Sequence, residues 1–175
     1  MINEIIKRNG VTYGIIIGLI SSLTTASIYA ININLFTSWW LGILSVLFYI
    51  VFSIILLSKT KKALNGVFTF KEAFTTYFIF AVIGVLIGAI FNILLFNVID
   101  PSASDTVKEL TIKSVVETMQ KYNTPASTIN EMIAKMKENN PYSTIEILKG
   151  SAFVIVFYSI LGLIMAAFFK RKTQE

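Results

Sequence analysis

No residue from Asn9 to Ser58 carries a charge. A chain with so long an uncharged stretch has few folded options. In hydrocarbon every backbone polar group must be satisfied internally, so helices or closed barrels are the available forms. The apolar residues run continuously, without the alternation of a barrel strand. Crossing a core of about 30 Å takes around 20 helical residues. Four segments are long enough: Gly10–Ile31, Phe36–Leu57, Ala73–Ile99 and Gly150–Phe169. None contains Asp, Glu, Lys or Arg. The expected fold is all-α, a polytopic membrane protein with four transmembrane helices. Residues 1–175 form a single membrane domain in this reading.

The composition agrees. Hydrophobic residues make up 55% of the chain and charged residues 14%, against roughly a quarter charged in a soluble domain. Lys7 and Arg8 precede the first apolar run, as in a signal peptide, but that run exceeds the roughly 7–15 residues of a signal core. Ile28-Tyr29-Ala30 is a poor cleavage site, so an uncleaved helix is expected. The net charge of +5 invites a nucleic-acid reading, which needs a basic patch on a soluble face. Here the bases flank apolar segments instead, so no nucleic-acid partner is expected.

Their distribution sets an orientation. The N-terminal tail, the loop between the second and third spans and the C-terminal tail hold nine basic and three acidic residues. These are Lys7, Arg8, Lys59, Lys61, Lys62, Lys71, Lys170, Arg171 and Lys172 against Glu4, Glu72 and Glu175. Residues 100–149 hold six basic and seven acidic residues. Lys/Arg excess marks the cytoplasmic side. Both termini are therefore expected in the cytoplasm and residues 100–149 outside it. Trp39-Trp40 fits an interfacial aromatic belt. Lys59-x-Lys61-Lys62 and Lys170-Arg171-Lys172 read as topology determinants and could also attract anionic lipid.

Helix starts are marked locally. Thr69-x-x-Glu72 and Ser143-x-x-Glu146 read as capping boxes, the second starting the fourth span before it enters lipid. Between the third and fourth spans lies an amphipathic two-helix insert. One helix, from about Thr106, carries Ile112, Val115, Val116, Met119 and Tyr122 on one face. The other, capped by Thr124 with Pro125 at the first helical position, carries Ile129, Met132, Ile133 and Met136. Asn139-Asn140-Pro141 ends it, because the residue before Pro avoids helical geometry.

Small residues recur every fourth position at Gly10, Gly14, Gly18, Ser22, Ala26 and Ala30. Gly84-x-x-x-Gly88 and Gly162-x-x-x-Ala166 repeat the pattern. Such spacing lets helix backbones approach closely in lipid, where apolar burial supplies no drive. Four residues overshoot one turn by about 40°, so one straight partner cannot follow all six positions of the first helix. Bundle packing is the first expectation and homodimerisation the second. Asn92, on the Gly88 face, is expected to hydrogen-bond across to another helix.

The chain has no Cys and no His. That removes thiol nucleophiles, disulfides, Cys/His metal sites and imidazole acid–base chemistry. No phosphate loop or nucleophile elbow is present. Neither a catalytic residue nor a cofactor is assigned, and an enzyme is not expected.

Four spans, the charged insert and the run Gly66-Val67-Phe68-Thr69-Phe70-Lys71-Glu72-Ala73-Phe74 together resemble the domain-of-unknown-function 4199 family of small bacteroidete membrane proteins. The resemblance implies an inner-membrane location and supplies no activity. The leading expectation is a non-enzymatic association or accessory subunit, its partners being membrane lipid and a homo-oligomer or larger complex. The alternative is a small transporter or channel for an apolar or amphiphilic solute, with a cavity near Asn92, Tyr49 or Tyr158.

Overall fold

The computed structural model describes residues 2–170. Arg171, Lys172 and Glu175 of the basic C-terminal tail lie outside them. Among the described residues the secondary structure is entirely helical. Six α-helices follow in order: α1 (Glu4–Ile31), α2 (Trp39–Ala63), α3 (Phe70–Leu94), α4 (Pro101–Lys121), α5 (Ala126–Glu138) and α6 (Thr144–Phe169). A 3-10 turn, Ile33–Thr37, joins α1 to α2, and a π turn, Leu95–Ile99, extends α3. The four apolar helices α1, α2, α3 and α6 are each long enough to cross a bilayer.

Helix ends differ from the sequence expectation in ways the local chemistry explains. The second helix starts at Trp39, not Phe36, because Asn32 accepts from the Asn34 amide and tightens the chain into the 3-10 turn. The fourth starts at Pro101 rather than Thr106. Asp100 accepts from the Ala103 amide, and Pro101, which has no N–H, occupies the first helical position. In α5 the cap shifts by one, to Pro125, and the helix opens at Ala126. The Thr69–Glu72 box closes in both directions: the Glu72 amide donates to Thr69 Oγ1 (3.2 Å) and the Thr69 amide to Glu72 Oε2 (2.9 Å). At Ser143 only half a box forms. Ser143 accepts from the Glu146 amide (3.4 Å), while the Glu146 carboxylate turns to Lys149 (2.6 Å).

The long helices form a layer with one helix laid upon it. α3 is central, packed most extensively against α1 and next against α6. Gly10, Gly14 and Gly18 face Ile79, Ile83 and Ile87 in turn, so α1 and α3 run parallel. α2 runs against both, since the Asn9 amide at the start of α1 donates to Thr60 near the end of α2 (3.0 Å). Lys61 Nζ donates to the Phe169 carbonyl (3.0 Å), placing the ends of α2 and α6 together. That ammonium satisfies an orphan carbonyl at the negative end of α6.

One end of the layer therefore gathers Lys7, Arg8, Lys59, Lys61, Lys62, Lys71 and Lys170. The other carries the 3-10 turn and the α4–α5 hairpin. Between them the outward surfaces are apolar: Leu19, Leu23, Leu47, Val51, Phe78, Ile90, Phe153 and Ile160 are all exposed. Contiguous apolar surface on this scale marks contact with lipid or protein.

Candidate functional site

The small residues hold the layer together. A Cβ placed on Gly14 would lie 2.8 Å from Ile83 Cβ and 3.0 Å from the Phe80 carbonyl; one on Gly18, 2.7 Å from Ile87 Cβ. Gly84 returns the fit, receiving Ile17 of α1 and the Tyr49 hydroxyl of α2. Gly162 receives the Tyr77 ring, and Ala166 is fully buried nearby. Gly88 is looser, 3.6 Å from Ser21 Oγ. Ser22 is buried, with its hydroxyl donating to Gly18 O (2.9 Å). Further along, the stripe drifts off its partner: Ala26 is half-buried and Ala30 exposed. The glycines thus serve contacts within the chain. Asn92 differs from expectation, since its amide donates to the Gly88 carbonyl of its own helix (2.9 Å) instead of bridging to a neighbour.

At mid-depth an aromatic group joins three helices. Tyr49 of α2 stacks on Tyr158 of α6 with ring centres 4.2 Å apart, and lies 5.5 Å from Phe80 of α3. Tyr77 meets Phe80 edge-on.

Above Tyr49 the packing opens. A cleft of about 430 Å³ lies between α1 and α2, from Tyr49 to the 3-10 turn. Its walls are Ile17, Ile20, Ser21, Thr24, Thr25 and Ile28 of α1, and Gly42, Leu44, Ser45 and Phe48 of α2. Phe36, Thr37, Ser38 and Trp39 close its outer end. Of Asn92, Tyr49 and Tyr158, near which the sequence points to a cavity, only Tyr49 lines the cleft. The signal that could have found it is the hydroxyl run Ser21, Ser22, Thr24, Thr25 opposite Ser45.

The roof of the cleft is also the seat of the hairpin. Phe36 packs edge-on against Phe96 (5.6 Å) in a second apolar cluster holding Leu95, Ala103 and Val107. Tyr29 donates its phenolic proton to Asp100 (2.8 Å), and Asn97 donates to the Tyr142 carbonyl (2.9 Å). Asp100 also accepts from Ser102 (2.6 Å) and the Ala103 amide. Its carboxyl is held below the ordinary carboxylate range by the Ser102 hydroxyl first, then by Tyr29 and Ala103. Farther out α5 is carried mainly by α4. Asn140 donates to Ser104 (3.0 Å) and Lys108 to the Lys137 carbonyl (2.6 Å). Ile129 is buried, whereas Met132 stays 42% exposed and Tyr122 at the tip 76% exposed.

Among the described residues no three carboxylates gather into a metal site. The geometry offers two surfaces, an uncharged cleft within the apolar layer and a braced hairpin at its end.

Four long apolar helices, close-packed through glycine and apolar on their outer faces, define a multi-pass helical membrane protein. The family described as protein of unknown function (DUF4199) matches residues 12–171, and the chain belongs to that family. No curated protein and no solved structure matches it.

Proposed function

We propose that this is a non-enzymatic protein of the cell inner membrane that acts by association, presenting the α4–α5 hairpin outside the cytoplasm to a partner. The observation that carries this reading is the contrast along the hairpin. Its base is fixed to the layer by Tyr29–Asp100, Asn97–Tyr142 and the Ala103–Val107 cluster. Its far part leaves Tyr122 and Met132 uncovered. A pre-ordered surface loses little entropy on binding, and an exposed aromatic such as Tyr122, at the C-terminal cap of α4, is a common interface anchor.

The orientation follows from the basic end, which the positive-inside rule assigns to the cytoplasm together with both termini. Chemistry is the weaker reading because the uncharged stretches Gly10–Ile31, Phe36–Leu57, Ala73–Ile99 and Gly150–Phe169 hold no Asp, Glu, Lys or Arg to act as acid or base. Since the glycine stripes are used within the chain, self-association would have to use other surfaces, such as the hairpin or the outer faces of α2 and α6.

The test is photo-crosslinking from Tyr122 and Met132 in native membranes, followed by purification in mild detergent. The expected result is a discrete crosslinked species, either a second copy or another protein. Absence of any crosslink from both positions, with a monomer in detergent, would count against the reading.

A second reading, handling of an apolar or amphiphilic solute, takes support from the cleft, but for binding rather than passage. The stack of Tyr49 on Tyr158 and the fit of Tyr49 against Gly84 close its inner end. That favours a blind binding site over a pore.

A further inference from the structure

We propose that the cleft between α1 and α2 binds an uncharged membrane amphiphile: one apolar chain carrying a neutral head that can hydrogen-bond. The proposal rests on the cleft alone. It does not depend on the partner role of the hairpin, so either can fail without the other.

Three features fix the ligand class. The first is size and depth. A volume of about 430 Å³ lies within the range of small-molecule sites. From Ile17 to Ile28 the α1 wall rises about 16 Å, close to half the hydrocarbon thickness of about 30 Å. A chain lying along it reaches from mid-bilayer to one interface.

The second is charge. No Asp, Glu, Lys or Arg lines the cleft. A phosphate, carboxylate or ammonium drawn into it would lose its water without a counter-charge, so the head must be neutral.

The third is the hydroxyl lining. Thr24, Ser45 and Thr37 give their protons to the Ile20, Leu41 and Asn34 carbonyls, leaving oxygen lone pairs to accept. Ser21, Thr25 and Ser38 donate to nothing within the described chain, so their protons are available. Together they can satisfy a head with both donor and acceptor, such as a hydroxyl or a glyceryl ester. An annular phospholipid can accept through its esters but brings no neutral donor, so it would leave the Thr24, Ser45 and Thr37 oxygens unmatched.

Gly42 makes the cleft testable. It faces the opening, and a Cβ placed there meets nothing within 4 Å. Gly42→Phe therefore adds bulk to the cleft wall from an unobstructed Cβ, and it removes a glycine from a helix interior. Trp39 at the mouth is a built-in reporter. Trp40→Phe leaves it as the single tryptophan, since the chain has two.

The experiment uses the full chain with Trp40→Phe in nanodiscs. Trp39 fluorescence is read against increasing fractions of a monoacylglycerol brominated along its chain, or of a phosphatidylcholine brominated at the same depth. The monoacylglycerol should quench with a saturating component at low mole fraction, and the phosphatidylcholine only in proportion to its abundance. Gly42→Phe should remove the saturating component. Thr25→Val, which keeps shape and loses one hydroxyl, should weaken it about two- to tenfold, the range of one neutral hydrogen bond. Equal proportional quenching by both lipids would overturn the proposal. So would a saturating component that survives Gly42→Phe.

Discussion

Placing an alanine at each glycine of the α1–α3 seam gives opposite outcomes at neighbouring positions. At Gly14 the new methyl would sit 2.8 Å from Ile83 Cβ and 3.0 Å from the Phe80 carbonyl. Carbon atoms rest at about 3.5–4.0 Å, so the helices must separate by something near 1 Å. Neither obstacle is the far end of a flexible side chain, and α3 cannot yield easily, because Gly84 meanwhile holds Ile17 and Tyr49. Overpacking of this kind costs about 1–3 kcal/mol. Alanine returns about 0.5–1 kcal/mol of helix preference over glycine. A net loss of up to about 2.5 kcal/mol, centred on about 1, is expected for Gly14→Ala on those two figures. At Gly88 the same methyl lies 3.6 Å from Ser21 Oγ, and at Gly42 it touches nothing. There the helix term stands alone, and Gly88→Ala and Gly42→Ala should be neutral or slightly stabilising. The assay is reversible unfolding in mixed micelles, followed by circular dichroism. A Gly14→Ala protein as stable as Gly88→Ala would refute the parallel α1–α3 seam.

Gly162→Ala should destabilise like Gly14→Ala, since its methyl would meet the buried Tyr77 ring, and the same unfolding assay checks it. Thr69→Ala removes the hydroxyl half of the capping box, the Glu72 amide bond to Thr69 Oγ1, leaves the backbone bond to the Glu72 carboxylate, and should cost about 1 kcal/mol. Ser143→Ala removes a longer bond (3.4 Å against 3.2 Å) and should cost less, and amide exchange in the first turns of α3 and α6 reads the difference. The Asp100 carboxylate holds the base of α4, and its folded pKa is lowered. Its contribution is therefore complete above the unfolded carboxylate pKa of about 3.9 and is lost only as pH falls through the lower folded value. Protection of the Ala103 amide should stay flat across neutral pH and decline only in strong acid. Tyr29→Phe removes one donor to the carboxylate and should move that decline upward.

The long helices were legible because an uncharged run without the alternation of a barrel strand leaves the helix as its stable form in lipid. Gly10, Gly14, Gly18 and Gly84 were legible as packing residues because their spacing is a property of the helix. Which helix they met was not, since parallel pairing of α1 with α3 depends on Ile79, Ile83 and Ile87, which look like any lipid-facing isoleucines. Asn92 was misread for a related reason. A half-buried amide can bond to the carbonyl one turn back, and spacing does not distinguish that from a bond across helices. The start of α4 is encoded at Asp100-Pro101, an Asp cap before Pro, five residues ahead of the Thr106 at which the amphipathic pattern begins. The cleft was the least visible feature. It exists because α1 and α2 pack closely near Asn9–Thr60 and part towards the 3-10 turn, a divergence no local pattern encodes.

The absence of native cysteine makes the threading of the chain directly measurable. Gln120→Cys places a lone thiol on the hairpin, and Lys62→Cys places one at the basic end; both positions are exposed. A membrane-impermeant maleimide added to intact spheroplasts should label Gln120→Cys fully and Lys62→Cys only after lysis. Labelling of Lys62→Cys in intact spheroplasts with Gln120→Cys protected would contradict the proposed threading of the four spans.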